Sequence, residues 1–179
     1  LFIPIIEESP TYAAVSIPTD ITADPSTSAS YSNGTIKVNW SPVTGATAYT
    51  AKITEVGSST SEILSVTGES RTTLTFSGLK GGGQFVVQVR AFIGSEGSPW
   101  SATSLTVTPK TISAAPSQPS AIATSDGAIV SWISVPAGDT GGNPITAYVV
   151  KVVGTSTSIT AGPSATQATI TGLTPGSTY

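Results

Sequence analysis

The sequence contains no cysteine, no histidine and no methionine. Without cysteine no disulfide staples the fold, and cysteine usage leaves no trace of the redox compartment. Without histidine or cysteine, the commonest general base, the usual transition-metal ligands and the best thiol nucleophile are missing, so no catalytic, cofactor-binding or metal-binding residue is expected. Charge is sparse: 7 basic and 10 acidic side chains give a net −3. That balance implies no basic face for phosphate, and nucleic acid is not an expected partner. The apolar opening Leu1–Ile6 is too short to span a bilayer and runs into Glu7 and Glu8 without the basic flank of a signal peptide, so no membrane insertion is expected. The missing methionine includes the initiator, so the chain is expected to be a processed product or a piece of a longer polypeptide.

Serine, threonine, glycine and alanine dominate what remains, and the 179 residues leave room for two domains of about 90 residues, each with a modest core. Three landmarks recur in order at an interval of about 93 residues. The turn Ser32-Asn33-Gly34 reappears as Ser125-Asp126-Gly127, Trp40 as Trp132, and Ser77-Gly78-Leu79 as Thr171-Gly172-Leu173. A fainter match sets Glu8-Ser9-Pro10 against Gly97-Ser98-Pro99. The expected organisation is therefore 1–17 as the tail of a preceding repeat or a linker, 18–110 as one domain, 111–118 as a linker and 119–179 as a second domain cut near its sixth strand. The window reads as part of a longer array. A head-to-tail polymer completed by its N-terminal strand is the sharper alternative.

Period-2 alternation runs throughout and helical periodicity is absent, which predicts an all-β fold. Ile36, Val38 and Trp40 alternate with polar neighbours, as do Tyr49, Ala51 and Ile53. Ile63 and Val66 predict a short strand, Leu74 and Phe76 another, and Phe85, Val87, Val89 and Ala91 the longest; Leu105 and Val107 are expected to close the domain. Asn33-Gly34 predicts a hairpin turn. Its counterpart Asp126-Gly127 has one residue fewer before the tryptophan, so a bulge or altered turn is expected. The loop from Val135 to Pro144 is about seven residues longer than its counterpart. Ser113–Ser120 reads as a semi-extended Pro/Ser spacer without core residues.

These residues resemble fibronectin type III domains. The resemblance rests on Trp40 and Trp132, on Tyr49 and Tyr148, on the run Gly172-Leu173-Thr174-Pro175-Gly176-Ser177-Thr178-Tyr179, and on the loop from Gly141 to Tyr148. It implies tandem seven-stranded immunoglobulin-like sandwiches, the second incomplete at the C-terminus, with the tryptophans in the core and a tyrosine corner. Trp40, Tyr49, Phe85, Trp132, Tyr148 and Tyr179 are the expected structural core. The first repeat departs from the pattern: Phe85 stands where the corner tyrosine belongs and Gly81-Gly82-Gly83 where Pro-Gly is usual. A looser turn is expected there.

Ligand or interdomain contact is expected, if anywhere, at Trp100, which sits beside Pro99 at the start of a last strand, and at Asp139 and Asn143 in the long loop. Glu7 and Glu8 are strand neighbours pointing to opposite faces, which argues against paired acid/base chemistry. Asp20 and Asp24 flank a junction but lack the spaced Asp/Asn/Gly loop of a calcium site. No Arg-Gly-Asp triplet occurs. Asn33-Gly34-Thr35 and Asn39-Trp40-Ser41 fit the glycosylation acceptor pattern. The expected function is a non-catalytic spacer or adhesive array in an extracellular, cell-surface or virion-surface protein, with protein partners (neighbouring repeats or copies of itself) and carbohydrate as a further candidate. The alternative is the accessory, carbohydrate- or protein-binding part of a secreted polysaccharide-degrading enzyme.

Overall fold

The computed structural model describes residues 14–25 and 34–179. Leu1–Ile6, Glu7, Glu8 and Asn33 lie outside them. Among the described residues the fold is built of strands, with one turn of 3-10 helix at Ala137–Asp139. Two compact units emerge, one containing Lys37–Thr75 and Val86–Thr106, the other Phe76–Phe85 and Val107–Tyr179.

In the first repeat, β1 (Thr22–Pro25), β2 (Ile36–Asn39) and β5 (Thr73–Phe76) form one sheet in the order β1-β2-β5. A second sheet runs β4-β3-β6-β7, with β3 at Ala48–Glu55, β4 at Ser61–Thr67, β6 at Phe85–Ile93 and β7 at Glu96–Gly97. The alternating residues do what their period dictates: Ile36 and Val38, Tyr49, Ala51 and Ile53, and Val87, Val89 and Ala91 are all buried. Removing side chains of this size from water stabilises the fold by roughly 1.5–3 kcal/mol each for the larger ones.

The second repeat repeats the first sheet. β8 (Ser120–Thr124), β9 (Gly127–Ser131) and β12 (Gln167–Thr171) stand in the order β12-β9-β8, matching β5-β2-β1. β10 (Tyr148–Lys151) pairs with β11 (Ser158–Ala161) alone, whereas its counterpart β3 lies between two strands. The core here is smaller, centred on Trp132, Val135 and Tyr148.

The two repeats share one internal frame. Each tryptophan ring meets its tyrosine ring at nearly the same geometry, 5.3 Å and 53° for Trp40–Tyr49 and 5.4 Å and 45° for Trp132–Tyr148. Each tyrosine hydroxyl accepts the backbone N–H of the valine three residues after the tryptophan: Val43 to Tyr49 at 2.7 Å, Val135 to Tyr148 at 3.1 Å. The tryptophan amides donate to Thr72 and Thr166 carbonyls. Both indole Nε1 atoms are buried without a partner.

The turn glycines are required by close approach. A Cβ at Gly34 would collide with the Leu79 carbonyl, and one at Gly127 with the Ile170 carbonyl. In the second hairpin Thr124 pairs with Gly127, leaving Ser125-Asp126 as the loop and Gly127 as the first strand residue, while the first hairpin's turn at Asn33 lies outside the described residues.

Two expectations need correction. Val107 is buried and bridges to Phe85, but Leu105 is 91% exposed and belongs to no strand. The turn at Gly81–Gly83 is tied rather than loose, with Gly82 N–H donating to Pro109 at 2.9 Å and Gly83 N–H to Lys80 at 3.1 Å.

Candidate functional site

Where a last ordinary strand was expected beside β6, residues 98–104 follow another rule. The amides of Ser98, Ser101 and Ser104 donate to the carbonyls of Ala91, Val89 and Val87 at 2.8, 2.9 and 2.9 Å. The amides of those same β6 residues return bonds to the three serine Oγ atoms at 3.1, 3.0 and 3.0 Å. Each hydroxyl then donates to the carbonyl of the residue after it, Pro99, Ala102 and Leu105, at 2.8 Å. Three residues here cover what two cover in β6, so the rise falls to roughly 2.3 Å per residue against about 3.4 Å in a strand. The segment is a run of bulges, each with one extra residue, in which Oγ stands in for a backbone carbonyl. Pro99, Ala102 and Leu105 are consequently turned to solvent.

This ladder holds Trp100 on the outer face of the four-stranded sheet, half-buried. The Lys52 ammonium and the Arg90 guanidinium each lie 4.6 Å from its ring centroid, and Arg90 also lies 4.8 Å from the Phe92 ring. Lys52, Arg90 and Phe92 face outward because their strand neighbours Ala51, Ile53, Val89 and Ala91 face the core. Arg90 Nε is buried without a hydrogen-bond partner. Trp100 is therefore part of a cation-aromatic stack, worth about 0.5–1 kcal/mol per contact where solvent reaches it.

Asp139 and Asn143 lie against the linker. The Ala114 amide donates to the Asp139 carbonyl at 2.8 Å, the Thr111 amide to the Gly141 carbonyl at 2.8 Å, and the Asn143 side-chain amide to the Thr111 carbonyl at 3.1 Å. The Asp139 carboxylate is exposed. Close packing explains the glycines here: a Cβ on Gly141 would strike the Thr111 carbonyl, and one on Gly81 the Thr111 hydroxyl. Residues 112–120 are exposed, in keeping with a spacer that carries no core residue.

Of the expected core residues, Trp40, Tyr49, Phe85, Trp132 and Tyr148 are buried. Tyr179 is 49% exposed, because nothing among the described residues pairs with it as Val107 pairs with Phe85. It still accepts the Thr174 amide at 2.9 Å, the corner bond, and hydrogen bonding from the Thr174 side chain and then from that amide draws its phenol below the usual range. The side of the second repeat next to β10 leaves a groove of about 240 Å³ lined by Pro116, Pro119, Trp132, Tyr148 and Val150 among others.

Asp20 adopts a left-handed backbone, φ 54°. Its carboxylate accepts the Ser41 hydroxyl at 2.6 Å and the Thr19 hydroxyl at 3.1 Å, which hold it below the usual carboxylate range. No group of three acidic residues fit for a metal occurs among the described residues. Nor is any helix there long and apolar enough to cross a membrane.

Sequence reasoning missed the serine ladder, although Ser98, Ser101 and Ser104 stand three apart in plain view. It also missed Lys52 and Arg90, which no motif marks.

The sequence profile of the fibronectin type III domain matches residues 16–107 and again 114–179. Among solved structures the chain is similar to the FN1–FN3 domains of chicken CNTN1, with TM-score 0.46 and 16% identity over 90% of this chain and 56% of that one. It is also similar to the fn3 domain of human collagen alpha-1(XX) chain, at TM-score 0.47 and 19% identity over 60% of this chain and 96% of that one. For the fn3 domain of human contactin 1 the values are 0.49 and 18%, over 59% and 87%. The chain thus spans little more than half, 56%, of the chicken segment. No curated protein matches it.

Proposed function

Because the chain belongs to the fibronectin type III family, whose domain profile matches both repeats, we propose that it serves as a non-catalytic run of spacer modules in an extracellular, cell-surface or virion-surface protein. On this reading 18–110 and 119–179 are the modules, 111–118 joins them, and 1–17 is the tail of a preceding module. The observation that carries the reading is the tethered linker. A spacer keeps a set length only if its joint does not wander, and Thr111, Ala114 and Asn143 contribute three hydrogen bonds between the linker and the 139–143 loop. An untethered chain of this length would behave as a semi-flexible Pro/Ser coil. The surface, rich in serine and threonine and poor in charge, supports a secreted or particle-borne setting.

The absence of cysteine makes the test direct, since two introduced cysteines are the sole labelling sites. Spin labels at Thr106 and Ser117 should give a narrow distance distribution that broadens in Asn143→Ala. A distribution in the parent as broad as that of an unstructured peptide of equal length would overturn the spacer reading.

A further inference from the structure

Lys52 and Arg90 are the only charged residues at the outward positions of β3, β4 and β6. The remaining outward positions are hydroxyl, amide or apolar, and no carboxylate faces the two cations from these strands. Beside them the Thr50–Ser65 and Thr54–Ser61 hydroxyl pairs, at 2.9 and 2.7 Å, run along the same face, with Ile63 opposite Lys52 and 55% exposed. The two cations contact one indole ring, which puts them within about 9 Å of each other. Like charges gathered on one ring gain from a shared anion, and the exposed Glu55 and Glu62 of β3 and β4 fall on the alternate positions of their strands.

We propose that this face docks an acidic polysaccharide carrying one carboxylate per sugar. The edge beside this face is closed: the serine ladder takes up the amides and carbonyls of Val87, Val89 and Ala91, so an extended peptide has no strand edge to join there. A stiff sugar chain needs no edge. Its carboxylates meet Lys52 and Arg90, its hydroxyls meet the hydroxyls of the exposed Ser61 and Ser65, and the exposed part of the Trp100 stack offers an apolar seat. Two cations spaced by a ring match sparse, regular charge rather than dense sulfation.

The probe is polygalacturonate, titrated at 20 mM salt while Trp emission is followed. Trp40 and Trp132 are 4% and 8% exposed, so the change reports on Trp100. The parent should bind, with affinity falling as salt rises. The double variant Lys52→Gln/Arg90→Gln should bind at least tenfold more weakly while still unfolding cooperatively, its melting temperature lowered only by the lost cation-ring contacts, and Arg90→Lys should retain binding. Lys80→Gln/Lys110→Gln, which removes two cations elsewhere, should bind within twofold of the parent. No binding by the parent, or an equal loss in both double variants, overturns the proposal. So does equal or tighter binding of dextran sulfate, which marks general attraction to polyanions, or binding of polyglutamate alone, which marks an acidic peptide. The linker-distance experiment is independent of every one of these outcomes.

Discussion

Replacing Ser101 by alanine tests whether the serine ladder is a structural necessity of the first repeat. Ser101 is 4% exposed and Val89 is fully buried. The hydroxyl accepts the Val89 amide at 3.0 Å and donates to the Ala102 carbonyl at 2.8 Å. Alanine removes the acceptor and adds none, so the Val89 N–H is left without a partner in a dry site. An orphaned buried donor costs about 1–3 kcal/mol. A loss near 2 kcal/mol lowers the melting temperature of a domain of this size by roughly 8–16 °C. Ser104 is half-buried and water can approach it, so Ser104→Ala should cost about half as much. Urea unfolding gives the stability, and amide exchange at Val89 gives the location, since its protection should fall by at least the global change. A Ser101→Ala protein within 0.5 kcal/mol of the parent, or with Val89 as protected as before, would refute the reasoning.

Tyr49→Phe and Tyr148→Phe should each destabilise their own repeat by about 1–2 kcal/mol in urea unfolding, the first more because Tyr49 also donates to the Glu69 carbonyl at 3.1 Å. Gly141→Ala places a side chain at φ 67° against the Thr111 and Ile112 carbonyls. A left-handed alanine costs about 1–2 kcal/mol, so trypsin should cut after Lys110 about tenfold faster in the variant. Asp20 is held below the usual carboxylate range by Ser41 and then Thr19. The sign follows: its contribution is complete above the unfolded value near 3.9 and is lost as pH falls through the lower folded value. Asp20→Asn, which keeps a residue tolerant of positive φ, should lack that part of the acid loss in a stability profile below about pH 4.

Much of the fold was legible because apolar alternation and recurring aromatic landmarks are direct records of which face meets the core. Trp40 and Trp132, with Tyr49 and Tyr148, lie where their spacing puts them, down to the matching hydroxyl bonds to Val43 and Val135. Leu105 was misread because alternation assumes a partner matched residue for residue. The ladder breaks that assumption, and a leucine two before Val107 is turned outward. The glycine run at 81–83 looked like slack, yet Gly81 is small because Thr111 comes close to it, a long-range fact that no local pattern carries. Trp100 was singled out from its setting, but its cations come from strands about 10 and 48 residues away.

Two scales of unlike graduation coincide only at fixed marks, as on a vernier, and the contact between β6 and residues 98–104 has that property. Sliding an ordinary strand by two residues restores every pair with the same faces. Here only a shift of three residues against two of β6 re-pairs any hydroxyl, and it leaves one of the three serines without its partner, so the observed alignment alone pairs all three. Loss or gain of one residue between Ser98 and Ser104 should therefore be far less tolerable than the seven or so extra residues the second repeat accepts between Val135 and Pro144.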